Sequence, residues 1–98
     1  MDGMVTVIAH IRAKPGRESR VRQVLEKLMV PTGAEAGCIN YDLHQSLTDP
    51  TLFVFYENWK SEADLEAPAR SVHMQSFRKL ADEILAESVE ITKWKAIP

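Results

Sequence analysis

Apolar residues recur along the chain in two rhythms, one of every second position and one of every third or fourth. Residues 4–13, MVTVIAHIRA, are apolar and rich in β-branched side chains; Val5, Val7, Ala9 and Ile11 alternate with Met4, Thr6, Ile8 and His10. That alternation predicts a strand, and Lys14-Pro15-Gly16 ends it. From Arg17 to Met29 the spacing changes: Val21, Val24, Leu25, Leu28 and Met29 form the apolar stripe of a helix. Glu18 and Ser19 suit its positively polarised first turn, while Pro31 and Gly33 mark its end. GCINYDLHQSL, residues 37–47, is a second strand, with Ile39, Tyr41 and Leu43 on one face and Cys38, Asn40, Asp42 and His44 on the other. Thr48-Asp49-Pro50 is a turn signal. FVFYENW, residues 53–59, then returns as a third strand, with Phe53, Phe55 and Trp59 on one face and Val54 and Tyr56 on the other.

Pairing Leu47 with Leu52 across a four-residue loop sets His44 opposite Phe55 and Asn40 opposite Trp59. A slip of one residue inverts that assignment. Further on, Ser61 caps a short helix that Pro68 breaks or kinks. Ser71 caps the next helix, from Val72 to Ala86, whose apolar face carries His73, Phe77, Leu80, Ala81, Ile84 and Leu85. SVEITKWKAI, residues 88–97, alternates again as a fourth strand.

The order β-α-β-β-α-β predicts an α+β fold of the ferredoxin-like kind, one antiparallel sheet with helices on one face. Neither face of FVFYENW is made for water. A chain of 98 residues buries only about 60–65% of the surface that its unfolded form exposes. The helices cover one sheet face, and a second copy of the chain is the simplest cover for the other. The expectation is a symmetric homodimer joined through the sheet face, against the alternative of a monomer with an ordinary mixed surface.

Composition narrows the field. A single domain spanning 1–98 is expected. The formal charge is −2 with both signs interspersed, so no nucleic-acid footprint is present. No apolar run is long enough to cross a membrane and no leader pattern opens the chain, which suggests a cytoplasmic protein without nucleic-acid or membrane partners. One cysteine, Cys38, cannot form an internal disulfide. Phosphate-loop, metal-ligand and nucleophile-elbow patterns are lacking, so no metal or cofactor is expected.

The candidates for chemistry are therefore individual residues. His73, four positions before Phe77 on the last helix, is a candidate general base, or else a buried histidine bonded to backbone. Asn40 and His44 share a strand face; with Phe55 and Trp59 opposite they would line a flat apolar pocket with a few polar groups, or else form a solvated strand edge. Trp59 serves core packing or stacks on an aromatic ligand. Glu57, on the Trp59 face, reads as a salt-bridge partner at a dimer edge in preference to a pocket acid. Trp94 reads as an interface or core residue.

VIAHIRAKPGRE, GCINYDLHQSLTDPTLFVFYENWKSEADLEA and HMQSF, in that order and spacing, resemble the antibiotic biosynthesis monooxygenase domain family over nearly the whole chain. The Lys14-Pro15-Gly16 turn, Glu35-Ala36-Gly37-Cys38 before strand two, the Asp49-Pro50 turn and the Phe53-x-x-x-Glu57-x-Trp59 ending of strand three carry the likeness. The resemblance implies a dimeric α/β barrel. Some members oxidise quinols, anthrones or similar electron-rich aromatics with molecular oxygen and no cofactor. By position, Trp59 matches the family's strand-three tryptophan and His73 a histidine at the start of the last helix. A second histidine of many relatives is replaced by Pro68. Phe55 and Leu65 stand where tailoring enzymes carry asparagine and tyrosine. Ala9 and Pro68 replace residues needed by haem-degrading members, which argues against that role.

The leading expectation is a cofactor-independent monooxygenase of a small quinol-like or polyketide-like aromatic. His73 would be the base or anion stabiliser, Trp59, Phe55 and Phe77 the aromatic slot, and Asn40 and His44 the polar anchors. The alternatives are an isomerase or detoxifying enzyme for a small carbonyl compound, resembling relatives that process an autoinducer-2 derivative, and a non-catalytic binding protein.

Overall fold

The computed structural model describes residues 3–98. Strands β1 (Val5–Arg12), β2 (Cys38–Gln45), β3 (Leu52–Trp59) and β4 (Glu90–Trp94) form one sheet in the order β2-β3-β1-β4. Helix α1 (Glu18–Gly33) joins β1 to β2. A short 3₁₀ turn (Glu62–Leu65), α2 (Glu66–Arg70) and α3 (Val72–Ile84) join β3 to β4. All pairings are antiparallel. This is the expected α+β, ferredoxin-like arrangement, with the helices on one face. Among the described residues, no helix is long and apolar enough to cross a membrane.

Alternation decides which side chains meet the helices. Val5, Val7, Ala9 and Ile11 of β1 are buried, as are Phe53, Phe55, Glu57 and Trp59 of β3. Val21, Val24, Leu25 and Leu28 of α1 close the core above them. Helix α1 runs past Pro31 to Gly33, one turn further than its proline suggests. A proline near a helix end forfeits one bond but need not stop the last turn. The extension matters, because Thr32 lies four residues beyond Leu28 and so continues the buried stripe.

Pro68 does not break the second helical segment either. It sits in the first turn of α2 and is buried, where its missing N–H has no helical partner to lose. The break falls at Ser71, whose backbone is extended and whose Oγ accepts from the Met74 N–H at 3.2 Å to start α3. Gly37, entering β2, has φ +85°, and a β-carbon there would lie 2.3 Å from the Asp64 side chain. Only glycine fits that crossing.

The hairpin register corrects the expected one. Ser46 N–H donates to Leu52 O at 2.9 Å, so Ser46 rather than Leu47 closes the ladder. The loop is organised by side chains. Ser46 Oγ accepts from the Thr48 and Asp49 N–H groups at 3.2 and 3.1 Å, and Asp49 Oδ1 accepts from the Thr51 N–H at 3.0 Å. Leu47 is left fully in solvent. Leu43 therefore pairs with Phe55, Tyr41 with Glu57, His44 with Val54 and Asn40 with Asn58, with an irregularity between Cys38 and Asn40.

Candidate functional site

Between the inner face of the sheet and the helices lies a space with two adjoining lobes, each partly open to solvent. The larger, about 530 Å³, is lined by Ala9, Tyr41, Phe55, Glu57, Met74 and Phe77 among others. The smaller, about 270 Å³, is lined by Val7, Thr32, Trp59, Leu65 and Pro68. Tyr41, Glu57, Met74, Arg78 and Ile91 border both. The larger lobe falls in the ordinary size range of small-molecule sites.

Glu57 is the chemical centre of this space. Strand alternation places it between Phe55 and Trp59 on the inner face, and it is only 7% exposed. Its Oε1 accepts a hydrogen bond from the Trp59 indole N–H at 2.9 Å. Removal from water disfavours the charged carboxylate and pushes its pKa up to about 7, against the weaker opposing pull of the Trp59 N–H. A carboxyl shifted in that direction exchanges its proton closer to neutrality than an ordinary glutamate does. It can take or give a proton without a large penalty either way.

The neighbours of Glu57 are aromatic. Tyr41, its cross-strand partner, stacks on Phe55 with ring centroids 4.2 Å apart and planes 21° from parallel. Burial, and secondarily the negative charge of Glu57, push the Tyr41 phenol up, so it stays neutral and can donate. Arg78, on α3, carries the cation that borders both lobes; its Nη2 donates to Ala69 O at 2.7 Å.

The expected site residues divide. Trp59, Phe55 and Phe77 do meet around the interior space. Asn40 and His44 do not join them. The register carries both to the opposite, open face of the sheet, where Asn40 Oδ1 accepts from Asn58 Nδ2 at 2.9 Å and His44 is exposed. His73 is also displaced. Successive helix positions turn by about 100°, so Met74, Arg78 and Ala81 face the sheet cavity while His73, Ser76 and Leu80 face a groove against α1. His73 Nε2 lies 3.0 Å from Ser71 Oγ, at the cap of its own helix. Neither lobe includes it.

Glu57 belongs to the interior rather than to a dimer edge. Its signal was the alternation of FVFYENW itself: an acid at the third of four inward positions, Phe53, Phe55, Glu57 and Trp59, is an acid in the core. Tyr41 followed from the same register, and Thr32 from the four-residue step after Leu28. Arg78 carried no signal separable from that of an exposed helical cation.

The profile of the family described as "antibiotic biosynthesis monooxygenase" matches residues 4–80. The chain belongs to that family. The relatives agree. A crystal structure of PA3566 from Pseudomonas aeruginosa is 35% identical and superposes with a TM-score of 0.94, covering 100% of this chain and 98% of that one. The structure of Rv0793 from Mycobacterium tuberculosis is 30% identical with a TM-score of 0.90, covering 98% and 97%. YgiN of Escherichia coli, which bears the name "Probable quinol monooxygenase", is 34% identical over 90% of this chain and 95% of its own length. Membership gives this domain a monooxygenase-type function.

Proposed function

We propose that this family member is a cofactor-independent monooxygenase acting on a small quinol-like or polyketide-like aromatic, and that Glu57 takes the place expected of His73 as its base. The observation that carries this reading is a buried carboxyl, its pKa pushed up by desolvation, that borders an aromatic-lined cavity of about 530 Å³. An electron-rich phenol that loses its proton becomes a one-electron donor to dioxygen. Glu57 accepts that proton. The phenolate passes an electron to oxygen, and the radical pair joins through a new carbon–oxygen bond. Cleavage of the resulting hydroperoxide leaves one oxygen on the ring and releases the other as water. One quinol and one dioxygen thus become one hydroxyquinone and one water. The substrate supplies all four electrons, so no separate reductant is needed.

The protein's part is positioning and electrostatics. Phe55, Tyr41 and Phe77 offer ring faces, and Arg78 brings positive charge to the border where the phenolate develops. A second copy of the chain covering the open sheet face belongs to the same reading. That face carries Ile8, Val54, Tyr56 and Trp94, the last two well exposed.

Oxygen uptake by purified protein with a panel of quinols and anthrones, autoxidation subtracted, tests the proposal. Uptake above background should fall by about a hundredfold or more in Glu57→Gln. Equal uptake in the two proteins would remove Glu57 from the mechanism, and none across the panel would sink the monooxygenase assignment. Turnover of a small carbonyl compound without oxygen would favour an isomerase using the same base.

A further inference from the structure

Arg78 does not take the ion pair that its helix offers. Asp82 lies one turn further along α3, at the spacing that Arg22 uses with Glu26 and Arg70 with Glu66, across 3.6 and 3.9 Å. Among the described residues Arg78 pairs with no carboxylate. Its Nη2 instead donates to Ala69 O at 2.7 Å. Ala69 is on the wall of the smaller lobe, whereas Asp82 and Glu87 border the larger. The bond therefore draws the guanidinium toward the smaller lobe, and a carbonyl fixes it there without neutralising it.

Lys93 brings a second positive charge to the same lobe. Its register opposite Val7 puts it on the inner face of β4. Its Nζ lies 3.1 Å from Glu62 Oε2, a contact that occupies one of the three ammonium donors. Glu57, the acid on this wall, is the counter-ion of neither cation: it pairs with neither among the described residues, and its titration answers to desolvation and to the Trp59 N–H. Val7, Trp59, Leu65 and Pro68 make much of the remaining wall apolar. Two like charges at the mouth of such a lobe are best satisfied by an anion between them.

We propose that the substrate carries a carboxylate, held at the mouth of the smaller lobe by Arg78 with help from Lys93. The ring system occupies the larger lobe and the reacting hydroxyl meets Glu57 at the junction. Arg78 borders that junction too, so the carboxylate stands close to the reacting hydroxyl. One of the five guanidinium N–H donors is spent on Ala69, which leaves enough for the two-point grip that a planar carboxylate invites. This rests on the aromatic-substrate reading above and adds to it an acidic substituent, which a quinol as such does not require.

Anaerobic calorimetric titration reads binding without turnover. The probes are naphthohydroquinone with a carboxylate on the carbon beside one hydroxyl, the methyl ester of that acid, and unsubstituted naphthohydroquinone. The parent should bind the acid about tenfold more tightly than the ester, which has nearly the same shape and no charge, and the margin should narrow as salt is raised. Arg78→Gln should reduce that margin to less than about twofold. Arg78→Lys, which keeps the charge and loses the fork, should hold an intermediate margin. Lys93→Gln should narrow it by about threefold, and an unchanged margin there removes Lys93 from the site. Both side chains are exposed, so the fold does not depend on them. A full margin in Arg78→Gln overturns the proposal, as does a parent that binds the acid no better than the ester or binds none of the three. Admission of air then tests the oxygenase reading alone. A binder selective for the acid that consumes no oxygen keeps the anion site and loses the reaction, while uptake without preference for the acid keeps the reaction and loses the site.

Discussion

The Trp59 indole donates to Glu57 Oε1 across 2.9 Å, two positions along the same face of β3, and both residues are buried. One side chain thereby fixes the rotamer of the other and moderates its titration. An indole N–H can only donate, so it favours the carboxylate, while the apolar surroundings favour the acid. The balance near neutrality comes from these two opposed effects, with desolvation the larger.

Stability should therefore depend on pH in a particular direction. The Glu57 carboxyl is raised from 4.5 to about 7 in the folded chain. Between those values the folded state holds more protons than the unfolded state. The stability given by the protonated carboxyl is full below about 4.5 and is lost as pH rises through about 7. The loss is on the order of 3 kcal/mol. Glu57→Gln cannot ionise and should be flatter across that window, and more stable than the parent at pH 8. Denaturant unfolding of both proteins at pH 5 and pH 8 checks this; parallel pH profiles would contradict it.

Trp59→Phe should move the rate profile. Without the indole donor the carboxylate loses that hydrogen bond, so the pKa of Glu57 goes further up. The rising limb of oxygen uptake against pH should then shift to higher pH. Phenylalanine refills much of the space, so the stability cost should stay below the about 3–5 kcal/mol of a Trp→Ala truncation. A profile that keeps its midpoint while the rate drops would mean that Trp59 only packs.

How far this was legible in the sequence can be seen in particular residues. The strands and helices follow from alternation and from the Val21–Leu28 stripe, and Ser71 as the cap of α3 follows from its position before an amphipathic run. The site depended on a register that the side chains of the turn decide. Asp49, held down at about 2 by its bonds from Thr51 and Arg12, fixes a loop one residue longer than simple leucine pairing suggests. That residue exchanges Tyr41 and Leu43 for Asn40 and His44 on the inner face. His73 went astray for a related reason. Its four-residue spacing from Phe77 is real, but Phe77 borders both the cavity and the α1 groove, and spacing alone does not say which of the two a neighbour shares.

The position of His73 makes a sharp expectation. Its ring faces the α1–α3 groove and borders neither lobe of the cavity. His73→Ala should retain oxygen uptake within about twofold, with a stability change of about 1 kcal/mol or less from the lost contact with Ser71. Phe77→Ala, one turn on, should cost about 3–5 kcal/mol. Loss of uptake in a well-folded His73→Ala protein would return the base to the histidine.

The open face of the sheet should hold a second chain. Ile8 lies at its centre, in register with Tyr56 on one side and Thr92 on the other, with Val54 one pair along. Exposed apolar side chains flank it at Tyr56 and Trp94. On the same face Asn40 and Asn58 already bond one another, so that pair can be covered without being stranded, while Asp42 and His44 lie out on the edge strand β2. Ile8→Glu puts a charge where a dry contact would form and should weaken dimerisation by about a hundredfold or more, leaving the monomer folded because its side chain is outside the core. Sedimentation equilibrium of parent and variant reads this directly. A parent that is monomeric at tens of micromolar, or a variant that stays as dimeric as the parent, would place the contact elsewhere or remove it.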